Sequence, residues 1–272
     1  MKLKELMSFK LNEEVDDKEY NIALEIIMKF KKAGFKETFI VGGYNRNKKV
    51  GIPSKDIDLV TEARPDDIYK VLADERYHIL EESTGEKHGI IFVIVEGLQY
   101  EIATMREDGE YTDGRRPDEV IFSDKEHDAL RRDFTVNSIF YDPIEDEYYD
   151  PTGGDADIAR KIIRAVGDPN KRFEEDYLRM LRAVRFAAQL GFRIENSTLE
   201  AVKASAGNIK DISGERVKAE MDKILKSDKP GNGLKLLAKS GLLVTLFPEV
   251  ADLVNYDQNP KFHPEGNVFI HT

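Results

Sequence analysis

Two aspartates separated by one residue, Asp56 and Asp58, have the spacing of side chains that could do chemistry together. The apolar residues beside them predict a short strand, and alternate residues of a strand leave the same face. Two carboxylates held that close repel each other unless a cation lies between them. Glu101 begins the Glu-Ile-Ala-Thr sequence within a later predicted strand. Together with Glu101, the two aspartates would form a three-carboxylate set suited to Mg²⁺. The alternative is a solvated pair of acids at a strand end.

Two glycines, Gly42 and Gly43, follow the predicted strand at 38–41. Paired glycines let backbone N–H groups approach a phosphate closely, and a helix that follows them favours anions at its N-terminus. Arg46 comes next, and the aspartate pair begins ten residues after Arg46. This order of strand, glycines, arginine and carboxylates recurs in proteins that handle nucleotides. Gly-Gly alone is also typical of an ordinary strand-to-helix turn.

Short strands and two helices are predicted around these residues. Apolar runs bounded by turn residues predict strands, and apolar residues at helical spacing predict helices. The Glu96-Gly97 turn joins the last two strands as a hairpin. The predicted strands cover 38–41, 57–60, 90–95 and 98–104, and the predicted helices cover 18–33 and 65–72.

After the Asp150–Gly154 segment the pattern changes to helices. Strand signals end between 141 and 149, and the predicted helices that follow cover 172–190, 197–204, 214–225 and 231–239. We therefore predict an α+β fold, with a mixed head and then an all-helical region. The predicted domains are a catalytic head at 1–152, a helical neck at 153–225 and the start of a helical body at 226–272.

Composition limits the class of protein. Of 272 residues, 40% are apolar and 34% charged, which excludes a disordered chain and a collagen-like fibre. The longest apolar run, at 90–95, is six residues, well below the roughly 20 needed to cross a bilayer. The chain has no cysteine, which excludes disulfides and thiolate catalysis. With no export signal visible, we expect a cytoplasmic protein without membrane contact.

Net charge gives conflicting indications about a nucleic-acid partner. The chain carries 41 Lys and Arg against 52 Asp and Glu, a formal charge of −11. Residues 160–185, however, hold eight basic residues against four acidic ones, a local charge of +4. A basic face on an acidic protein is compatible with this distribution.

Seven ordered blocks of the sequence resemble one family. The segment from Gly42 to Leu59, with its Gly-Gly-x-x-Arg and Lys-Asp-Ile-Asp-Leu patterns, is similar to the signature of class II tRNA nucleotidyltransferases. These are the CCA-adding enzymes, together with the bacterial poly(A) polymerases related to them. The six further blocks cover 101–106, 113–117, 131–137, 150–154, 175–182 and 213–220.

The resemblance implies a fold and a reaction. The fold would be a polymerase-β-like nucleotidyltransferase head with a mixed or antiparallel sheet, followed by a helical neck and body. The reaction would be template-independent addition of CCA to the 3′ end of tRNA from CTP and ATP, with pyrophosphate released. Asp56 and Asp58 would bind two Mg²⁺ ions that act on the RNA 3′-hydroxyl and on the leaving pyrophosphate, with Glu101 as the third carboxylate.

The resemblance also implies nucleotide contacts. The implied residues are Gly42, Gly43 and Arg46 for the triphosphate, Arg132 for phosphate or ribose, and Asp133 and Asn137 on the ribose side. Outside this family context, the Arg-Arg-Asp sequence at 131–133 would be interpreted as a surface ion-pair cluster. The loop at 113–117 resembles one associated with switching from C to A addition, so its presence favours CCA or A addition.

Asp176 and Arg179 are predicted to select the nucleobase. At i and i+3 of a predicted helix they would lie on one face, with one acceptor beside a fork of donors. Cytosine and adenine offer an amine to the carboxylate, whereas uracil and guanine place a carbonyl oxygen against it. Because a buried unpaired acceptor costs roughly 1–3 kcal/mol, the pair would accept C and A and reject U and G. The alternative is an i,i+3 helix salt bridge.

Two arginines continue this series at three-residue steps. The resemblance implies nucleotide contacts for Arg182 and Arg185, and for Arg185 a solvated basic face is an equal alternative. The block at 213–220 is expected to make structural helix contacts rather than to take part in chemistry.

Two features depart from the family pattern. The usual sequence is Gly-Gly-x-Val-Arg-Asp, whereas here Asn47 follows Arg46. An amide can accept hydrogen bonds, but it cannot neutralise a cation. The segment from Gln258 resembles the opening of a metal-dependent HD phosphohydrolase domain, in which His271 would be an early ligand, and we expect a truncation at this point.

Other functions stay open from the sequence. An A-adding enzyme or a poly(A) polymerase shares almost every block. An inactive RNA-binding remnant has only Asn47 and the short C-terminal region in its favour. Transfer to a small molecule would leave Asp176 and Arg179 without a purpose.

Overall fold

The computed structural model describes residues 18–54, 56–80, 89–109, 120–259, 261–264 and 266–271. By their internal contacts these residues form two compact units. The first unit contains the described residues up to Met105 together with Phe140–Tyr148, and the second contains Arg106–Ile139 and the described residues from Tyr149 onwards. The domain boundaries at 152 and 225 stay a prediction.

Strands and helices are numbered in chain order. The described strands are β1 (Thr38–Val41), β2 (Asp58–Thr61), β3 (His78–Ile79), β4 (Ile90–Val95), β5 (Leu98–Thr104), β6 (Arg106–Asp108), β7 (Val120–Phe122), β8 (Phe140–Asp142), β9 (Glu147–Tyr149), β10 (Ile162–Ile163) and β11 (Arg193–Ile194). The described α-helices are α1 (Lys18–Lys32), α2 (Gly43–Val50), α3 (Pro65–Val71), α4 (Lys125–Leu130), α5 (Gly154–Ala159), α6 (Pro169–Glu175), α7 (Leu178–Leu190), α8 (Asn196–Ser205), α9 (Gly214–Leu225), α10 (Pro230–Lys239), α11 (Leu242–Leu246), α12 (Pro248–Ala251) and α13 (Val268–His271). Across the described ranges, none of these helices combines the length and the apolar character needed to cross a membrane.

The first unit is built on a seven-stranded sheet in the order β3-β4-β5-β2-β1-β8-β9. β1 pairs antiparallel with β2 and β8, and β4 pairs antiparallel with β3 and β5. The pairing of β2 with β5 is parallel, so the sheet is mixed. Ile26 and Phe30 of α1, Ile68 of α3, Leu59 of β2 and Ile102 of β5 belong to one buried apolar core. The predicted α+β class and mixed sheet are confirmed.

The predicted elements of the first unit agree closely with the observed ones. The strands at 38–41, 90–95 and 98–104 have the predicted bounds. β2 begins at Asp58, one residue later than predicted, so Asp56 and Ile57 precede the strand. The argument that both aspartates leave one face of a strand therefore does not apply to Asp56.

The second unit contains the predicted helices and one break that the sequence analysis did not predict. The single helix expected at 172–190 is two helices, α6 and α7, because Asp176 has extended backbone with φ −155° and ψ 105°. The Asp176 carboxylate accepts a hydrogen bond from the N–H of Leu178 at 3.0 Å, which caps the start of α7. Short acidic side chains compete with the helical hydrogen bonds in this way. At its other end α7 stops at Gly191, whose φ is 66°.

Gly154, the first residue of α5, has no room for a side chain. A Cβ there would lie 2.2 Å from the carbonyl oxygen of Thr135 and 2.9 Å from Cγ1 of Ile139. We expect Gly154→Ala to lower the free energy of unfolding by about 3 kcal/mol through overpacking, as measured by urea denaturation. Gly214, the first residue of α9, faces open space and supplies the control, Gly214→Ala. Equal stability of the two variants would contradict the close approach.

Candidate active site

Two of the three predicted metal-binding carboxylates lie side by side in the sheet. Asp58 of β2 is directly opposite Glu101 of β5 in the parallel register, and paired residues project from the same face. The next pair, Leu59 and Ile102, is buried in the core on the other face. Asp58 and Glu101 are half-buried, whereas Asp56, two residues before Asp58, is exposed.

The first glycine of the Gly-Gly turn lies against Asp58. Val41, the last residue of β1, pairs with Asp58, and Gly42 follows it with φ 79° and ψ −136°. Glycine alone adopts this backbone conformation without strain. A Cβ on Gly42 would also lie 3.3 Å from Oδ2 of Asp58. Glycine is therefore needed for the turn, and any side chain there would also make a tight contact with the carboxylate.

The donor chemistry of this pair fits Mg²⁺. Asp58 and Glu101 supply carboxylate oxygens at neighbouring positions, and Mg²⁺ binds through one or two carboxylates while it keeps waters and phosphate oxygens. Within the described residues, no group of three or more His, Cys, Asp and Glu side chains is arranged to hold a metal ion. Among the residues that the structure describes, two of the three predicted ligands thus lie at paired positions, and the third is not gathered with them.

Arg46 is held in the first half of α2, close to the Gly-Gly turn. Its side chain is buried, and its Nε and Nη2 donate to Oδ1 of Asn47 at 3.1 and 2.8 Å. Nη2 lies 3.5 Å from the position that a Cβ of Gly43 would occupy. The helix itself is fixed to β1, because Nδ2 of the buried Asn45 donates to the carbonyl oxygen of Ile40 at 2.9 Å.

Three predicted nucleotide contacts of the second unit form one cluster around Asp133. Oδ1 of Asp133 accepts hydrogen bonds from the N–H of Phe134 and from Nδ2 of Asn137, at 2.8 and 3.0 Å. Oδ2 accepts from Nε and Nη2 of Arg182, at 2.8 and 2.5 Å. Burial alone would raise the pKa of Asp133, but Arg182 and Asn137 outweigh burial and hold that pKa below its ordinary value.

The predicted base-selecting pair is separated by the break before α7. Asp176 accepts hydrogen bonds at 3.3 and 2.7 Å from Nη1 and Nη2 of Arg216, which lies on α9. Arg179, on the first turn of α7, forms a short ion pair with Glu175 of α6. Asp176 and Arg179 are therefore not i and i+3 of one helix, and that part of the prediction was wrong. The side-chain contacts described here join Asp176 to Arg216 and Arg179 to Glu175, and they do not join Asp176 to Arg179.

Arg185 and Arg132 also have carboxylate partners. Nε of Arg185 donates to Oε2 of Glu220 at 2.5 Å, and its Nη1 donates to Oε1 of Gln189 at 3.1 Å. Arg185 and Glu220 are both buried, so the solvated basic face considered for Arg185 is wrong. Nε and Nη2 of Arg132 donate to Oδ2 of the fully buried Asp128, at 3.0 and 2.7 Å.

This pairing explains how a locally basic segment belongs to an acidic chain. Arg182 and Arg185 lie in the run from 160 to 185 that carries a charge of +4. Their partners Asp133 and Glu220 lie outside that run, so a count over the segment overstates its exposed positive charge.

The ion-pair partners were missing from the predicted site, and only some of them had a local signal. Asp128 precedes Arg132 by four residues, and Glu175 precedes Arg179 by four, which is the spacing of pairs on a helix. Arg216 is 40 residues from Asp176, so no local spacing indicates that contact. Arg216 lies in the block at 213–220, for which the sequence analysis expected structural helix contacts, and its hydrogen bonds to Asp176 are contacts of that block. The predicted loop at 113–117 lies outside the described residues.

Comparison with known families divides the chain into two matched regions. Residues 38–164 match the family described as the poly A polymerase head domain. Residues 191–253 match the family described as the probable RNA and SrmB-binding site of polymerase A.

Among curated proteins, the chain is similar to CCA-adding enzymes. That of Geobacillus thermodenitrificans (strain NG80-2) is 41% identical over 231 residues, 85% of this chain and 55% of the enzyme. That of Leuconostoc mesenteroides is 37% identical over 252 residues, 90% of this chain and 61% of the enzyme. The chain thus spans about half the length of the first of these relatives and somewhat more of the second.

Among solved structures, the chain is similar to the Bacillus stearothermophilus CCA-adding enzyme in complex with CTP. The identity is 37% and the TM-score 0.74, over 84% of this chain and 53% of that one. The Thermotoga maritima CCA-adding enzyme complexed with tRNA has a TM-score of 0.72 over 97% of this chain and 58% of that one, at 23% identity, and shows a shared fold alone.

The chain has the α+β fold of the nucleotidyltransferases, with Asp58 and Glu101 paired on a mixed sheet beside a Gly-Gly turn. The chain belongs to the class II tRNA nucleotidyltransferase and poly(A) polymerase family. The resemblance stated from the sequence blocks is confirmed.

The Asp133 cluster gives a stability prediction with a defined pH dependence. Asp133 is buried and its partner Arg182 is half-buried, so replacing the carboxylate removes charged hydrogen bonds that water compensates only in part. We expect Asp133→Asn to lower the free energy of unfolding by about 2 kcal/mol. Because the folded-state pKa is lowered, the contribution of the carboxylate is fully present above its ordinary pKa and is lost as pH falls through the lower folded value.

The loss in Asp133→Asn should therefore be constant between about pH 5 and pH 8, as measured by urea denaturation. Glu174→Gln changes a carboxylate of the same unit that is exposed on α6, and it should have little effect. A loss that grew or vanished within this pH interval would contradict the assignment.

Proposed function

We propose that this chain carries the catalytic and nucleobase-selecting parts of a CCA-adding enzyme. The reaction is template-independent transfer of CMP and AMP units from CTP and ATP to the 3′ end of tRNA, with pyrophosphate released, in the cytoplasm where these substrates occur. The observation that carries the proposal is the register that pairs Asp58 with Glu101 beside Gly42. The 41% identity to a CCA-adding enzyme, and the likeness to one solved with CTP, support the choice of substrates.

In this proposal the first unit performs the chemistry. Asp58 and Glu101, joined by Asp56 when the ions are bound, would hold two Mg²⁺ ions; there the ions would lower the pKa of the RNA 3′-hydroxyl and neutralise charge on the leaving pyrophosphate. Gly42 and Gly43 have no side chains to keep their backbone N–H groups away from the triphosphate, and a Cβ at Gly42 would make a tight contact with Asp58. The guanidinium of Arg46, held beside this turn, binds phosphate oxygens.

The second unit selects and orients the nucleotide. Asp176 supplies an acceptor for the exocyclic amine of C or A, and Arg179 supplies donors to the ring acceptors. Arg132 contacts phosphate or ribose, and Asp133 and Asn137 act on the ribose side, directly or through Arg182. Arg185, buried against Glu220, keeps α7 and α9 together and contributes to the site by fixing α7.

The test is incorporation of labelled CTP and ATP into tRNAs that lack one, two or three terminal nucleotides, with Mg²⁺ present. We expect C, C and A to be added in order, followed by a stop. Asp58→Asn should reduce incorporation about a thousandfold, because it removes a charge from the carboxylate pair. Asp66→Asn, an exposed aspartate on the first turn of α3, is the control and should retain activity.

Other outcomes would assign another function. Addition of A alone would identify an A-adding enzyme, and continued addition of A would identify a poly(A) polymerase. If Asp58→Asn and the parent incorporated nucleotides equally, the proposed chemistry would be wrong. Binding of tRNA without incorporation by the parent would indicate an RNA-binding remnant.

Base selection should depend on Arg216 as well as on Asp176. Two hydrogen bonds from Arg216 orient the carboxylate of Asp176, so Arg216→Met should let that side chain turn away. We expect discrimination against UTP, measured as a ratio of kcat/KM values, to fall about tenfold. Lys218→Met, on an exposed position of the same helix, should leave the ratio unchanged. Unchanged discrimination in Arg216→Met would show that Asp176 does not depend on this contact.

A further inference from the structure

Asn47 makes an unusual contact with its neighbour in the sequence. Adjacent residues of an α-helix do not face each other, because successive side chains are about 100° apart around the axis. Nonetheless Oδ1 of Asn47 accepts two hydrogen bonds from Arg46, from Nε at 3.1 Å and from Nη2 at 2.8 Å. One amide oxygen thus receives two donors of one guanidinium.

This contact fixes where the positive charge of Arg46 lies. The Arg46 side chain is 7% exposed, and its Nη2 is 3.5 Å from the position of a Cβ on Gly43. Arg46 is three residues beyond Gly43 in α2, so the guanidinium turns back toward the start of the helix. The orientation of the Asn47 amide follows from chemistry, because a guanidinium has only donors and requires the carbonyl oxygen rather than the NH₂ group.

The chemical type of Asn47 has a separate consequence. A carboxylate at this position could accept the same two hydrogen bonds, but it would add a negative charge next to the guanidinium. An amide orients Arg46 without adding that charge. The difference acts on any highly charged anion that Arg46 binds, since Coulomb interactions at partly buried sites are weakly screened.

We infer that Asn47 is a positioning residue for triphosphate binding, which orients Arg46 toward the Gly-Gly turn without itself placing a negative charge beside the guanidinium. The inference rests on the proposed function and adds a residue to it. Asn47 makes two contributions, the orientation of Arg46 and the neutrality of the position beside it. One substitution tests each contribution. Asn47→Ala loses the acceptor, and Asn47→Asp keeps the acceptor but introduces the carboxylate.

The test measures CTP binding by calorimetry in the presence of Mg²⁺, and then KM and kcat for incorporation. We expect Asn47→Ala to weaken CTP binding about tenfold, the effect of losing hydrogen bonds that orient a charged group. Asn47→Asp should weaken binding about fivefold, raise KM with little change in kcat, and bind CTP with a flatter dependence on salt concentration. A residue with a merely structural role would not change the salt dependence.

Lys48→Gln supplies the matched control, since it lowers the net charge by the same one unit as Asn47→Asp at the next position of α2. It should shift CTP affinity less than twofold, because Lys48 lies over the ring of Tyr141 at 4.9 Å. Thermal unfolding of all variants separates loss of binding from loss of folding.

Several results would overturn the inference. If Asn47→Ala bound CTP like the parent, orientation by Asn47 would be wrong. If Asn47→Asp and Lys48→Gln weakened binding equally, the specific effect of charge beside Arg46 would be wrong. If the parent bound CTP and incorporated it while all variants matched the parent, this inference alone would fail. A parent that neither bound nor incorporated CTP would overturn the proposed function and this inference with it.

Discussion

Removing a charge from water costs several kcal/mol, and a buried arginine is tolerated only where an acid accompanies it. The second unit meets this requirement with an acid from a distant part of the chain, Glu220 for the buried Arg185, and it pairs the buried Asp133 with the half-buried Arg182 in the same way. Both arginines lie on α7, so their pairs tie that helix to the segment at 133–137 and to α9. Packing alone leaves long side chains with several rotamers, whereas two-point hydrogen bonds select one. The charges that could bind a nucleotide are therefore also the charges that orient the helix carrying them.

The first unit achieves the same precision by a different means. Asp58 and Glu101 are placed by backbone hydrogen bonds between two strands, and the apolar pair of Leu59 and Ile102 anchors the register from the opposite face. Their relative positions follow from the register of the ladder. Strands suit groups that must lie close together despite like charge, while helices with ion pairs suit groups that must be oriented toward a planar ligand.

Local patterns predicted the fold well, because β4, β5 and their turn depend on neighbouring residues. They predicted the site less well wherever the decisive contact is distant in sequence. The break at Asp176 arises from a side chain that caps the next helix and pairs with Arg216, and apolar periodicity across 172–190 contains no sign of either. Asp56 fell outside β2 because a strand boundary depends on where the ladder ends. The i,i+4 spacing of Asp128 and Arg132 does indicate their ion pair, but nothing in the sequence shows that Asp128 is buried.

The parallel pairing of β2 with β5 also determines which changes in chain length the protein can accept. Parallel neighbours need a crossover, and the crossover here runs from 62 to 97 and contains α3, β3 and β4. Insertions and deletions in its turns leave the spacing of Asp58 and Glu101 unchanged, since the register is set by four residue pairs between the strands. A slip of one residue within those pairs would instead turn one acid toward the apolar core. Among descendants of this sequence, insertions and deletions should therefore accumulate in the turns of the crossover and be absent from β2 and β5 themselves.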